Sequence, residues 1–249
     1  MTHLHLPGRS AAFLLGVFLF VLIASTPLMA GTLVVGNPPD FATGNCFPFG
    51  CNYDQFTANN EYQQVYSNTL FSGPITITGL EFYNTQQDRG GTGMNTGTFT
   101  IDLSTTLADW NTLSTTPTSN LGGNNTQVFS GSLAQAWALG DTLSITFSTP
   151  FTYTPGVGAN LLMDVVATGT GDALGDIGFD TNLGNTYFGR YYYSGFRTVN
   201  NGYGLVTGFD YGPNVEPGTV PEPASILLVP AALGVLALLR KRNRERQNA

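Results

Sequence analysis

The sequence predicts an all-β protein, a single antiparallel β-sandwich of jelly-roll type. Short apolar alternations of period two recur along the body, and Gly, Asn, Ser and Thr break them at turn spacing. No apolar stripe of useful length appears at helical spacing. Several short strands divided in this way bury their apolar faces by stacking one sheet on another.

Tyr62 to Tyr66 is the first candidate strand of the body. In Pro74 to Tyr83, Ile75 and Ile77 share one face, but Leu80 and Phe82 take it over beyond Gly79. That change of phase predicts a β-bulge at the glycine. Thr98 to Leu103 alternates, with Phe99, Ile101 and Leu103 inward and Thr100 and Asp102 outward. Gln127 to Phe129 is a shorter candidate, and residues 132–139 suit one helical turn or a strand equally well. Thr142 to Phe147 alternates strictly, with Leu143, Ile145 and Phe147 on one face and three hydroxyl side chains on the other. Leu161 to Val166, Tyr187 to Tyr193 and Leu205 to Tyr211 complete the set. Between strands, Gly90-Gly91-Thr92-Gly93 and Thr115 to Asn125 carry little to bury and read as long exposed loops, where binding often takes place.

Charge excludes several classes of function. Both histidines, His3 and His5, and the one lysine, Lys241, fall outside residues 31–219. That body has three cations, Arg89, Arg190 and Arg197, against fourteen carboxylates, a formal charge of −11. Nucleic acid and anionic membrane surfaces need clustered Lys or Arg and are not expected partners. A Ser-His-Asp triad, a Cys-His pair and a histidine-ligated zinc cannot be built without histidine. Carboxylate chemistry remains, with Glu61 and Glu81 as the best acids for a glycoside hydrolase, but no Glu stands in a recognisable motif, so no enzyme is expected.

Cys46 and Cys51 enclose Phe47-Pro48-Phe49-Gly50, and in an exported chain such a close pair reads as a disulfide stapling a local turn. Asp172, Asp176 and Asp180 recur every four residues and are candidate calcium ligands, although the spacing is not that of an EF-hand. Acidic loop residues in so acidic a body are more often simply solvated, and no cofactor is assigned. Tyr187, Tyr191 and Tyr193 share one side of a strand while Phe188, Arg190 and Tyr192 share the other, beside Arg197 and Phe196. One set can stack on sugar rings and the other must face the core, so Tyr187, Tyr191 and Tyr193 are the candidate glycan contacts.

The two ends read as addresses. Arg9, the apolar stretch Ala11 to Ala24 and Leu28-Met29-Ala30 form a signal peptide over residues 1–30. A body spanning residues 31–214 follows, then a Pro- and Gly-bearing linker at 215–219. Residues 220–249 begin Val220-Pro221-Glu222-Pro223, continue into an apolar run at 226–239 and reach the basic tail Arg240 to Arg246. Two prolines around one carboxylate hold an extended backbone, which suits a protease cleft. The fourteen-residue run would span only about 21 Å as a helix, short of a hydrocarbon core of about 30 Å, and Pro230 and Gly234 weaken it. It is a transient anchor, with its basic tail kept in the cytoplasm.

This order of motif, apolar run and basic tail over residues 220–246 resembles the PEP-CTERM sorting domain of exosortase substrates. The resemblance implies export through the Sec machinery, an inner-membrane intermediate, cleavage near the motif by exosortase, a membrane cysteine protease, and delivery to the cell surface or the extracellular matrix. A non-enzymatic structural or adhesive role, linked to exopolysaccharide or biofilm, is the expected function. A carbohydrate-binding module, assisted or not by calcium, is the alternative.

Overall fold

The computed structural model describes residues 30–36, 39, 44–51, 60–86, 89–168, 177–193 and 195–212. The chain divides into two units, Met1–Pro213 and Asn214–Ala249, and every described residue belongs to the first. Its strands are β1 (Gly31–Val35), β2 (Asn60–Tyr66), β3 (Ile75–Tyr83), β4 (Thr98–Thr106), β5 (Thr126–Ser132) and β6 (Thr142–Tyr153). They continue with β7 (Asn160–Thr168), β8 (Thr181–Leu183), β9 (Phe188–Tyr193), β10 (Arg197–Asn201), β11 (Tyr203–Leu205) and β12 (Thr207–Gly212). Among the described residues the only helices are single 3₁₀ turns at Asn68–Leu70 and Pro117–Ser119, and no helix is long and apolar enough to cross a membrane.

The fold is an all-β sandwich. One sheet runs β1-β12-β3-β6 and the other β10-β9-β2-β7-β4-β5, with β8 and β11 forming a small third sheet. Every pairing between these strands is antiparallel. One apolar core joins the two large sheets: Ile77, Leu80, Phe82, Leu143, Ile145 and Phe209 come from the first, and Tyr62, Phe99, Ile101, Leu103, Met163 and Val165 from the second. The inward residues read from alternation in β3, β4 and β6 are thus the buried ones, apart from the half-buried Ile75 at the start of β3. The bulge expected at Gly79 is present: Ile77 opposes Phe151 while Gly79 opposes Thr146, and Thr78 is the extra residue against β12. A Cβ at Gly79 would stand 2.9 Å from the Ile145 carbonyl, so close an approach that only glycine fits.

Two expectations change, and a third gains detail. Residues 133–139 form neither a helical turn nor a strand; Ala136 makes an isolated bridge to Gly93, and Trp137 turns inward and donates its indole N–H to the Gly178 carbonyl at 2.9 Å. The span Leu205 to Tyr211 is two strands, because the chain changes sheets at Val206, whose N–H donates to the Asp180 carbonyl at 2.9 Å. Thr115 to Asn125 is mostly exposed, as expected, but Pro117 and Asn120 within it are buried. The outer face of the six-stranded sheet carries Val65 and Leu162, which must be covered, and Ala108, Leu113 and Leu121 from the whole β4–β5 connection cover them. The buried Asn120 fixes it there, accepting the Ser114 N–H and donating to Gln63 Oε1 at 2.7 Å.

The expected disulfide between Cys46 and Cys51 is formed. Its turn inserts Phe49 between the sheets, 5.1 Å from the ring of Phe82 in β3 and 5.4 Å from that of Phe99 in β4. The backbone holds this turn as well, through Gly50 N–H to the Cys46 carbonyl, Asn95 N–H to the Phe49 carbonyl and Ile177 N–H to the Gly50 carbonyl. Replacing Phe49 by Ala leaves a cavity touching both sheets and is expected to cost about 3–5 kcal/mol, a fall in Tm of roughly 10 °C by calorimetry. A fall of only one or two degrees would show that the turn is a local ornament.

Candidate functional site

Two places on the six-stranded sheet collect chemistry-bearing side chains, one on each face. Residues opposite one another in antiparallel strands share a face. Asp102 opposes Asp164, Asp164 opposes Gln63, Gln63 opposes Tyr191, and Tyr191 opposes Val199. This row crosses the outer face from β4 to β10. Glu61, two residues before Gln63, lies on the same face and hydrogen-bonds the Asp164 carboxyl.

Like charges directly opposite one another are unfavourable, and the protein relieves them by protonation. Asp164 is only 7 % exposed, and its Oδ1, like that of Asp102, has no hydrogen-bond partner. Burial, then the charge of Glu61, pushes the Asp164 carboxyl up to about 7. Burial also raises Glu61, against the lowering effect of its bond to Asp164 and of the Arg197 charge. Both carboxyls are therefore harder to ionise than free ones, Asp164 the more so.

The inner face holds a buried cation at the sheet edge. Arg190 on β9 opposes Gln64 of β2 and Asn200 of β10, and it is only 7 % exposed. Its Nε and Nη2 both donate to Asn200 Oδ1, at 3.2 and 3.1 Å, and its guanidinium lies 3.9 Å from the ring centroid of Tyr203 and 4.6 Å from that of Tyr192. Nη1 has no hydrogen-bond partner. Tyr62 nearby supplies no counter-charge, because burial holds its phenol well above the ordinary value although Arg190 opposes this.

The small sheet roofs this edge. Gln64 accepts the Tyr62 hydroxyl at 2.6 Å and the Leu205 N–H at 2.8 Å, and its Nε2 donates to the Leu205 carbonyl at 2.9 Å. β11 reaches this position through a tight turn at Gly202, whose φ of +66° is a left-handed conformation that favours glycine. A Cβ at Gly204 would meet Gln64 and Phe188 at 2.7 Å, so the strand sits directly on the sheet. Beside it opens a pocket of about 340 Å³ lined by Leu183, Arg190, Val199, Asn200, Asn201 and Tyr203.

The residues singled out in the sequence fall into different places. Tyr191 is buried at 2 % exposure on the outer face, Tyr193 is half-buried, and Tyr187 precedes β9, its ring packed edge-on against Phe188. The three therefore do not form one exposed platform; the sheet's outer face had to bury Tyr191 beside Gln63. The other set, Phe188, Arg190 and Tyr192, faces inward, and Arg190 of these lines the pocket. Asp180 is buried, and its two oxygens accept the Thr85 N–H at 2.8 Å and the Thr85 hydroxyl at 2.6 Å, while Asp172 and Asp176 lie outside the described residues. Glu81 accepts the Tyr83 hydroxyl on the four-stranded sheet and so does not meet Glu61. Val220, Pro221, Glu222, Pro223 and the run at 226–239 lie outside the described residues, as do residues 1–29. The sequence reading missed the carboxyl contact, although Asp102 and Asp164 stand in predicted strands and only the strand order was needed to bring them together.

A carboxyl held above its unfolded value binds its proton more tightly in the folded state. Stability is then highest below the unfolded value of 3.8 and falls as pH rises through the folded value of about 7. Urea titrations of Asp164→Asn between pH 4 and 8 are expected to show this slope flattened, with the variant more stable than the parent by about 1–3 kcal/mol at pH 8. An unchanged slope would mean that the pair does not carry the pH dependence. No protein-family model, no curated protein and no solved structure matches this chain.

Proposed function

We propose that this protein is an exported β-sandwich of jelly-roll type that acts without catalysis, as a structural or adhesive component of the cell surface or of an exopolysaccharide matrix. The observation that carries the reading is the order of Pro221-Glu222-Pro223, apolar run and basic tail in residues 220–246. On this account Sec export leaves an inner-membrane intermediate, and exosortase releases the body. The formed Cys46–Cys51 disulfide supports an oxidising destination. The sheet neighbours that are not consecutive in sequence, β2 between β9 and β7 and β12 between β1 and β3, support the jelly-roll assignment.

The carboxyls support a non-catalytic role. A glycoside hydrolase keeps its two acids about 5–9.5 Å apart so that a sugar and a water fit between them. Glu61 and Asp164 instead hydrogen-bond each other directly, with no room for a sugar between them, and Glu81 lies on the other sheet. Carbohydrate binding is the second reading, favoured by the pocket at Arg190, where aromatic rings and side-chain amides meet.

Intact-mass measurement on protein recovered from its native cells tests the main reading. It is expected to show a species beginning near Gly31, lacking the residues beyond the Pro-Glu-Pro motif and carrying the disulfide. A full-length species, or one whose size, destination and release are unaffected by deletion of residues 221–249, would overturn it.

A further inference from the structure

We infer that the pocket at the β9–β10 edge is a binding site for the carboxylate of an acidic sugar unit, with Arg190 as its anchor. This rests on the adhesive reading, to which it adds a ligand class. Among the described residues no carboxylate pairs with Arg190. A buried guanidinium is stable when its donors are satisfied and its charge is met. Among the described residues the contacts of Arg190 are neutral: one amide oxygen takes two donors, two tyrosine rings lie against the cation, the Tyr62 hydroxyl is beside it, and Nη1 has no hydrogen-bond partner. Ring contacts offset part of the desolvation, but the planar fork of an arginine matches a carboxylate best.

The surroundings suit a sugar bearing that carboxylate. Asn200 and Asn201 also line the pocket, giving it a polar wall, while Tyr203 and Leu183 supply faces for a ring. A volume of about 340 Å³ lies at the small end of the range for small-ligand sites, which fits one unit of a chain held in an open groove. The charge of −11 on the body excludes a basic patch, so recognition of a polyanion has to come from one recessed cation rather than from a diffuse field.

The test is calorimetric titration of the folded protein with galacturonate oligomers, with neutral galactose oligomers of equal length and with acetate. The uronate oligomer is expected to bind saturably and at least about tenfold more tightly than the neutral one, as one charge-assisted contact allows. Arg190→Gln is expected to remove that difference. Because a buried arginine also supports the fold, Leu183→Asp provides a second variant: Leu183 is 55 % exposed on the rim, so the change leaves Tm intact while its charge repels the ligand, weakening uronate binding about tenfold. Equal affinity for the neutral oligomer would overturn the carboxylate assignment while leaving sugar binding in place. Binding of neither oligomer, or uronate binding unaffected by Leu183→Asp, would overturn the site. Neither result bears on export, which the intact mass reads separately.

Discussion

The pocket end of the sandwich depends on one side chain, Gln64. The six-stranded sheet is wider than the four-stranded one, so part of its inner face, at β9 and β10, needs another partner. Gln64 provides it by clasping the Leu205 peptide group from both sides, N–H and carbonyl, from within the sheet. Such a fully satisfied buried amide fixes position as well as contributing stability. The clasp sets β11 over β2, brings Tyr203 onto Arg190 and turns a sheet edge into a pocket. Thr207, bonded to the Tyr66 hydroxyl at 2.8 Å, then carries the chain away into the other sheet.

The two faces of the same sheet handle charge in opposite ways. On the outer face, where Asp102, Asp164 and Glu61 converge, the excess is reduced because burial makes Glu61 and Asp164 harder to ionise. On the inner face lies, among the described residues, a single buried cation, Arg190. It is held instead by neutral groups. The asymmetry explains why the carboxyl cluster reads as a stability element and the arginine as a site.

Much of the sandwich was legible in the sequence because period-two alternation fixes which residues face inward, and Phe99, Ile101, Leu103, Leu143 and Ile145 are buried as that pattern requires. Strand order was not legible, since alternation says nothing about neighbours. That is why the meeting of Asp102, Asp164 and Glu61 went unseen. β8 and β11, three residues each, are too short to show any period, so the roof over the pocket was also invisible. In Tyr187 to Tyr193 the parity was readable but the choice of face was not, because both sets are aromatic. The continuous apolar stretch Leu161-Leu162-Met163 did carry a signal for the cover over the outer face, since a strand apolar on both sides must be covered on both.

The central claim is that the Gln64 clasp makes the pocket a built part of the fold rather than a passing contact between loops. Native-state hydrogen exchange at the Leu205 amide tests it most directly, because that N–H donates to a side chain rather than to a strand partner. Exchange as slow as that of core amides such as Val165, requiring near-global opening, is the predicted result. Exchange at the rate of an exposed turn, with the core still protected, would contradict the account.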